Sequence, residues 1–217
     1  MLEGLLFDLD GTLTITDPLH YRVWREVLGE HDIELDEPFY RARIGGRLNP
    51  DIVRDLLPEL TPEASNQFIE HKEARFRALA GGLTALPGLD QLLAWTDAQG
   101  LARALVTNAP GENARFMLKV LGLESAFRTV ILGEDAPAGK PDPLPYRIAL
   151  ERLNIASEAA LAFEDSPSGI RSAVAAGIPT VGIASMHGAD ELLSHGALMV
   201  ISDFNDTRLW ELLQFRG

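Results

Sequence analysis

Leu5-Leu6-Phe7-Asp8-Leu9-Asp10-Gly11-Thr12 is the stretch on which the reading of this chain turns. Three apolar residues without a polar face suit a strand buried on both sides, and such strands belong to parallel sheets covered by helices. The run stops at Asp8, and a second acid follows at Asp10. On an extended strand these two side chains would share one face. At a strand end, where Gly11 permits a turn, the chain can aim both into one pocket. Two neighbouring acids can divide the work, one as nucleophile or metal ligand and the other as proton donor. A calcium-binding loop does not fit: the third acid and the glycine at loop position 6 are missing, and Leu19 stands where the closing glutamate belongs.

Outward from this stretch, short apolar runs recur. Ala104-Leu105-Val106 ends at Thr107-Asn108, Thr129-Val130-Ile131-Leu132 at Gly133-Glu134, and Ala160-Leu161-Ala162-Phe163 at Glu164-Asp165. Two further runs occupy residues 179–183 and 197–201. Between them lie segments of helical spacing, such as Leu89/Leu92/Leu93 and Ile170/Val174/Ala175. Strand alternating with helix over residues 86–217 predicts an α/β domain with a parallel sheet covered on both faces. The polar residues stand at the carboxyl ends of its strands, the edge where open α/β sheets bind ligands.

The alternation breaks between the first strand and residue 83. Leu19/Val23/Val27, Phe39/Ala42/Ile44, Ile52/Val53/Leu56/Leu57 and Phe68/Ile69/Phe76/Leu79 read as helices, with starts at Asp36-Glu37-Pro38, Asn49-Pro50 and Thr61-Pro62. The expected organisation is an α/β core from residues 1–16 and 83–217, with an all-helical insert at 17–82.

Three more segments carry chemistry. Thr107-Asn108 places a hydroxyl and an amide directly after a strand, ahead of a helix start whose backbone N–H groups can meet an anion. Gly139-Lys140-Pro141-Asp142-Pro143 holds one lysine, a compact point charge suited to phosphate, in a stiff loop. Glu164-Asp165 supplies adjacent hard oxygen ligands of the kind Mg2+ prefers. Each alone has an ordinary explanation: a helix cap, a surface lysine, acids near a helix N-terminus. Their ordered recurrence after successive strands does not.

Composition narrows the function. With 19 Lys+Arg against 32 Asp+Glu, the formal charge of the 217-residue chain is −13, a field that repels nucleic acid. Such a protein must supply local positive charge, from a metal or a placed lysine, to handle a small anion. With no cysteine there is no disulfide framework, thiolate metal site or cysteine nucleophile. No apolar run reaches the ~18–20 residues that cross a bilayer. Acids at Glu3 and Asp8 are unlike a secretory leader. A cytoplasmic location with no membrane or nucleic-acid partner is expected. Without a long exposed apolar seam, the expected state is a monomer or weak dimer.

Phe7-Asp8-Leu9-Asp10-Gly11-Thr12-Leu13, Thr107, Lys140 and Glu164-Asp165 resemble, in order and spacing, the four motifs of the haloacid dehalogenase-like hydrolase superfamily. The similarity is to the branch with a Rossmann-like core and a helical cap after the first strand, which includes phosphoglycolate phosphatase-like enzymes, sugar-phosphate phosphatases and β-phosphoglucomutase. Pro18-Leu19-His20…Trp24 and Gly45-Gly46-Arg47…Asn49 look like cap-side features of the β-phosphoglucomutase and sugar-phosphatase group.

The resemblance implies a Mg2+-dependent phosphatase for a small phosphorylated metabolite. Asp8 would be the nucleophile that forms an aspartyl-phosphate, and Asp10 the acid–base group. The metal would sit on Asp8, the Asp10 carbonyl and Asp165, with Glu164 binding directly or through water. Thr107, Asn108 and Lys140 would hold the phosphoryl group. The cap would close over the site, with His20 and Arg47 as candidate substrate contacts; Trp24 reads as core. A phosphosugar mutase of the β-phosphoglucomutase kind is the nearest alternative. A non-catalytic metal- or partner-binding protein on the same fold is the other, and it would not need Asp8, Asp10, Thr107, Lys140 and Asp165 together.

Overall fold

β1 (Gly4–Phe7) is buried at every position. In this computed structural model, which describes residues 1–216, it lies in the interior of a six-stranded parallel sheet. In chain order there follow α1 (Asp17–Gly29), α2 (Glu37–Arg43), α3 (Asn49–Leu56), α4 (Pro62–Leu79), α5 (Leu89–Gln99), β2 (Ala102–Thr107), α6 (Gly111–Val120), β3 (Thr129–Leu132), α7 (Leu144–Leu153), β4 (Ala160–Glu164), α8 (Pro167–Ala175), β5 (Thr180–Ile183), α9 (Ala189–Ser194), β6 (Met199–Ile201) and α10 (Thr207–Arg216). The chain divides into two compact units: Met1–Ile15 with Leu83–Gly217, and Thr16–Gly82.

Strand order in the first unit is β3-β2-β1-β4-β5-β6. From β1 the chain builds outward through β2 and β3, then returns to place β4 on the other side of β1. That reversal puts a switch point between β1 and β4, where an open α/β sheet forms its ligand crevice. Register fixes what arrives there. Phe7 pairs with Leu105 on β2 and with Phe163 on β4. One step further along the strands, Asp8 comes level with Val106 and Glu164.

Alternation along β1 feeds two cores. Leu6 joins Ala104, Val106, Ile131, Tyr146 and Ala149 on one face. Phe7 points to the other, stacking on Phe163 with ring centroids 5.0 Å apart and meeting Phe127 and Phe204 edge-on. Aromatic pairs of this geometry add to the burial they bring.

The apolar runs read from sequence correspond to β1–β6, with differences of one or two residues at several ends. Pro179 lies outside β5 because it has no N–H for the ladder, although its carbonyl still accepts from Ala162 N at 3.0 Å. Ala197 and Leu198 precede β6, Leu198 being an exposed residue.

The second unit is helical throughout its regular elements. Prolines occupy the first turn of all four helices, and Asp36 and Thr61 accept from Phe39 N and Ala64 N as N-caps. α1 buries Val23, Trp24, Val27 and Leu28, and packs on α4, which buries Phe68 and Phe76. The same face of α4 carries an ion pair the sequence did not disclose: Lys72 Nζ lies 2.8 Å from Glu73 Oε1 and both side chains are buried. Among the described residues no helix is long and apolar enough to cross a membrane.

Phe204 is fully buried against Phe7 and Phe163. Phe204→Ala is expected to lower the unfolding free energy of the α/β unit by about 3–5 kcal/mol, read as a lower urea midpoint.

Candidate active site

Asp8 continues the β1 ladder by one residue, its N–H donating to Phe163 O at 3.0 Å. The chain then folds back: Leu13 N donates to Leu9 O at 2.9 Å and Gly11 N to Thr14 O at 2.8 Å. Gly11 has φ +78°, the left-handed region that favours glycine. A Cβ there would also overlap the Asp165 carboxylate and crowd the Ser185 hydroxyl. The turn and the close approach of Asp165 therefore both require the missing side chain.

Lys140 enters from the loop before α7. Its Nζ donates to Asp8 Oδ1 at 2.7 Å, Val106 O at 2.7 Å and Glu164 Oε1 at 2.5 Å. Asn108 holds the lysine's main chain from both sides: Lys140 N donates to Asn108 Oδ1 at 3.0 Å, and Asn108 Nδ2 donates to Lys140 O at 3.1 Å. Gly139 permits this, since a Cβ there would stand 2.8 Å from Asn108 Oδ1. The Lys140–Pro141 peptide is cis. Farther along the loop, Ser172 Oγ donates to Asp142 O and Leu144 N to Asp142 Oδ1.

β4 delivers Glu164 and, one residue later, Asp165. Glu164 Oε1 also accepts from Tyr146 Oη at 2.7 Å, whereas Oε2 has no hydrogen-bond partner among the described residues. Asp165 Oδ2 accepts from Ser185 Oγ at 2.8 Å. Thr107 is buried at the end of β2, with Oγ1 accepting from Ala109 N at 3.0 Å.

Asp8, Glu164 and Asp165 each offer a carboxylate oxygen, all within 4.8 Å of one another and all buried. One ammonium stands against these three acids. Burial pushes the Asp8 carboxyl up to about 7; Lys140 opposes the rise, and Glu164 and Asp10 add to it. Asp165 is raised well above the ordinary range, again by burial first and then by the charges of Asp8 and Glu164. Lys140 is held above its usual value, because Asp8 and Glu164 outweigh the effect of its burial. The excess of buried negative charge, the hard oxygen donors and the orphaned Glu164 oxygen together fit a small divalent cation.

The structure thus brings Asp8, Lys140, Glu164 and Asp165 together. The charge of Asp10 acts on both Asp8 and Asp165. Asn108 uses its side-chain amide on the Lys140 main chain. His20 and Arg47 belong to the helical unit. There His20 stacks on Phe76 at 4.2 Å with Nδ1 3.1 Å from Lys72 Nζ, and Arg47 pairs with Asp55 at 2.5 Å.

Sequence reasoning missed Tyr146 and Ser185. Ser185 lies just past β5, so the rule that polar residues after apolar runs face the ligand edge could have found it. Tyr146 sits inside a helix, and nothing local marks its hydroxyl.

The raised Asp8 value has a consequence for stability. A carboxyl raised by folding contributes stability below about 4 that is lost as pH climbs through about 7. In the presence of a chelator, the urea midpoint of the native protein is expected to fall between pH 5 and pH 8 by more than that of Asp8→Asn. Equal slopes for the two proteins would contradict this electrostatic account.

Residues 5–183 match the family model described as haloacid dehalogenase-like hydrolase. The chain is 31% identical over 204 residues to a phosphorylated carbohydrates phosphatase of Thermotoga maritima, covering 92% of this chain and 94% of that protein. It is 31% identical over 220 residues to a phosphoglycolate phosphatase of Rhodospirillum rubrum, covering 97% and 91%. A solved structure of a HAD hydrolase, family IA, variant 3, from Entamoeba histolytica superposes with a TM-score of 0.91 at 27% identity, covering 99% of each chain. The motif order read along the strands, the converging carboxylates and these similarities agree: the chain belongs to the haloacid dehalogenase-like hydrolases.

Proposed function

We propose that this hydrolase is a Mg2+-dependent phosphatase of small phosphomonoesters that works through a phosphoryl group carried on Asp8. The observation that carries the reading is the buried contact of the Asp8 carboxylate with Lys140, beside Asp165 at the carboxyl edge of the sheet. A nucleophile needs a fixed orientation, and Lys140 holds one oxygen of Asp8. Two relatives carry phosphatase names for phosphorylated carbohydrates and for phosphoglycolate, and the proposed substrates fall in that range.

In the proposed cycle an Asp8 oxygen bonds to phosphorus as the ester P–O bond breaks. The bonding pair leaves with the alkoxide, and Asp10 gives that oxygen its proton. Water then attacks phosphorus, passes a proton to Asp10, and frees phosphate with Asp8 restored. Thr107 and Lys140 contact the transferring oxygens, where Lys140 offsets the charge that builds up. Asp8, Asp165 and the Asp10 carbonyl would hold Mg2+. Glu164, whose Oε2 has no hydrogen-bond partner among the described residues, would join them directly or through water. Bound Mg2+ supplies the positive charge that lets a carboxylate and a phosphate dianion approach. We assign substrate choice to the helical unit Thr16–Gly82 acting as a cap, with His20 and Arg47 as its candidate contacts.

A mutase must hold a second phosphate, and Arg47 would be the group to grip it. Its guanidinium pairs with Asp55, which Arg54 also contacts, and donates to Arg43 O at 2.8 Å. Hydrolysis is favoured by the phosphatase names of the two relatives.

Asp8→Asn is expected to lower p-nitrophenyl phosphate turnover at least ~10³-fold with the fold retained, by analogy with the loss of other catalytic nucleophiles. Near-normal rates would remove Asp8 as nucleophile. Asp165→Ala is expected to raise the Mg2+ concentration for half-maximal rate at least ~10-fold, the low end of losses seen for outer-shell partners. An unchanged titration would strike it from the ligand set. Incubation with β-glucose 1-phosphate and a trace of its bisphosphate should release inorganic phosphate; glucose 6-phosphate accumulating without phosphate would mark a mutase instead.

A further inference from the structure

An ammonium has three N–H donors, and those of Lys140 have Asp8 Oδ1, Val106 O and Glu164 Oε1 as acceptors. No donor is left over. Lys140 cannot bond a transferring phosphoryl oxygen until one of these acceptors gives it up.

The acceptors differ in what remains behind. Val106 O is main chain, fixed within β2. Asp8 is the group that Lys140 orients. Glu164 alone retains a second donor, because Tyr146 Oη bonds the same Oε1 at 2.7 Å. A buried carboxylate stripped of its partners is costly, and one that keeps a hydroxyl donor is much less so.

Tyr146 is built for that place. It is completely buried on α7, packed in the core with Leu6 and Val106. Lys140 Nζ stands 5.3 Å from the centre of its ring. The Glu164 carboxylate lies directly against Gly169, in space that a Cβ would fill. Among the described residues Glu164 Oε2 has no donor of its own.

We infer that Tyr146 is a positioning residue for Lys140: its hydroxyl keeps Glu164 in place while the lysine exchanges Glu164 for a phosphoryl oxygen. The inference rests on the phosphatase reading and concerns a residue that reading does not use. The exchange accompanies charge build-up on the transferring group, so losing the hydroxyl acts on turnover more than on substrate capture.

The test is Tyr146→Phe, which keeps the ring and deletes only the oxygen, assayed on p-nitrophenyl phosphate at saturating Mg2+ beside the native enzyme. We expect kcat to fall about 10-fold with KM within about twofold. A kcat within twofold of native, or a loss borne by KM alone, overturns the inference and leaves the phosphatase reading standing. A native enzyme that does not turn over the ester overturns the reading, and the inference with it. Should Tyr146→Phe not fold, 3-fluorotyrosine at position 146 keeps the shape and donates more strongly. Its kcat is expected at or above half the native value, and a lower one overturns the inference.

Discussion

The structure depends on the charge balance around Lys140. One buried ammonium bonds Asp8 and Glu164, partners that lie 132 and 24 residues away in sequence. Burying such a pair is expensive, and removing one member leaves the other uncompensated at a cost of roughly 3–5 kcal/mol. The ion pair therefore does little for stability by itself, but it penalises any arrangement in which the loop before α7, the end of β1 and the end of β4 fail to meet. It specifies the edge of the sheet at which chemistry can occur.

Close approach is achieved by omission of side chains. Gly11 lets Asp165 come against the turn after β1, Gly169 lets Glu164 lie against the start of α8, and Gly139 lets Asn108 reach the Lys140 main chain. Ser166 caps α8 by accepting from Gly169 N at 3.0 Å, which fixes the helix start directly behind the two acids. The acids are thus held by main-chain geometry on several sides. A charged group so fixed needs little reorganisation when charge moves during a reaction.

Much of this was legible in sequence, and for a physical reason. A strand buried on both faces must be an unbroken apolar run, so the first polar residue after it marks the strand's end, and in a parallel sheet all those ends share one edge. Asp8, Thr107 and Glu164-Asp165 were placed by that logic, and the helix starts at Asp36, Asn49 and Thr61 by proline and cap chemistry. What the sequence hid is pairing across distance. The Asn108 amide works on the Lys140 main chain 32 residues away. Tyr146 looks like any apolar helix residue until its hydroxyl is seen against Glu164. Lys72 and Glu73 sit side by side on α4 and would pass for a solvated face, but they are buried with His20 and Asn49 around them. Burial reverses the expectation for charged residues whenever their partners arrive from elsewhere in the chain.

That buried pair on α4 bears on how an acidic protein can treat an anion at all. Glu73 shows the rule at work: burial alone would raise its carboxyl, yet Lys72 and His20, with hydrogen bonds from Lys72 and Asn49, hold it below the ordinary value. At Asp8 the outcome has the opposite sign, because Lys140 is shared between two acids and a third stands close by. The two clusters use the same residue types at similar depth and differ in their ratio of positive to negative groups. The helical cluster pairs its acid with a lysine at 2.8 Å. The sheet-edge cluster is short of positive charge, and only a cluster left in that condition has a use for a cation from solution.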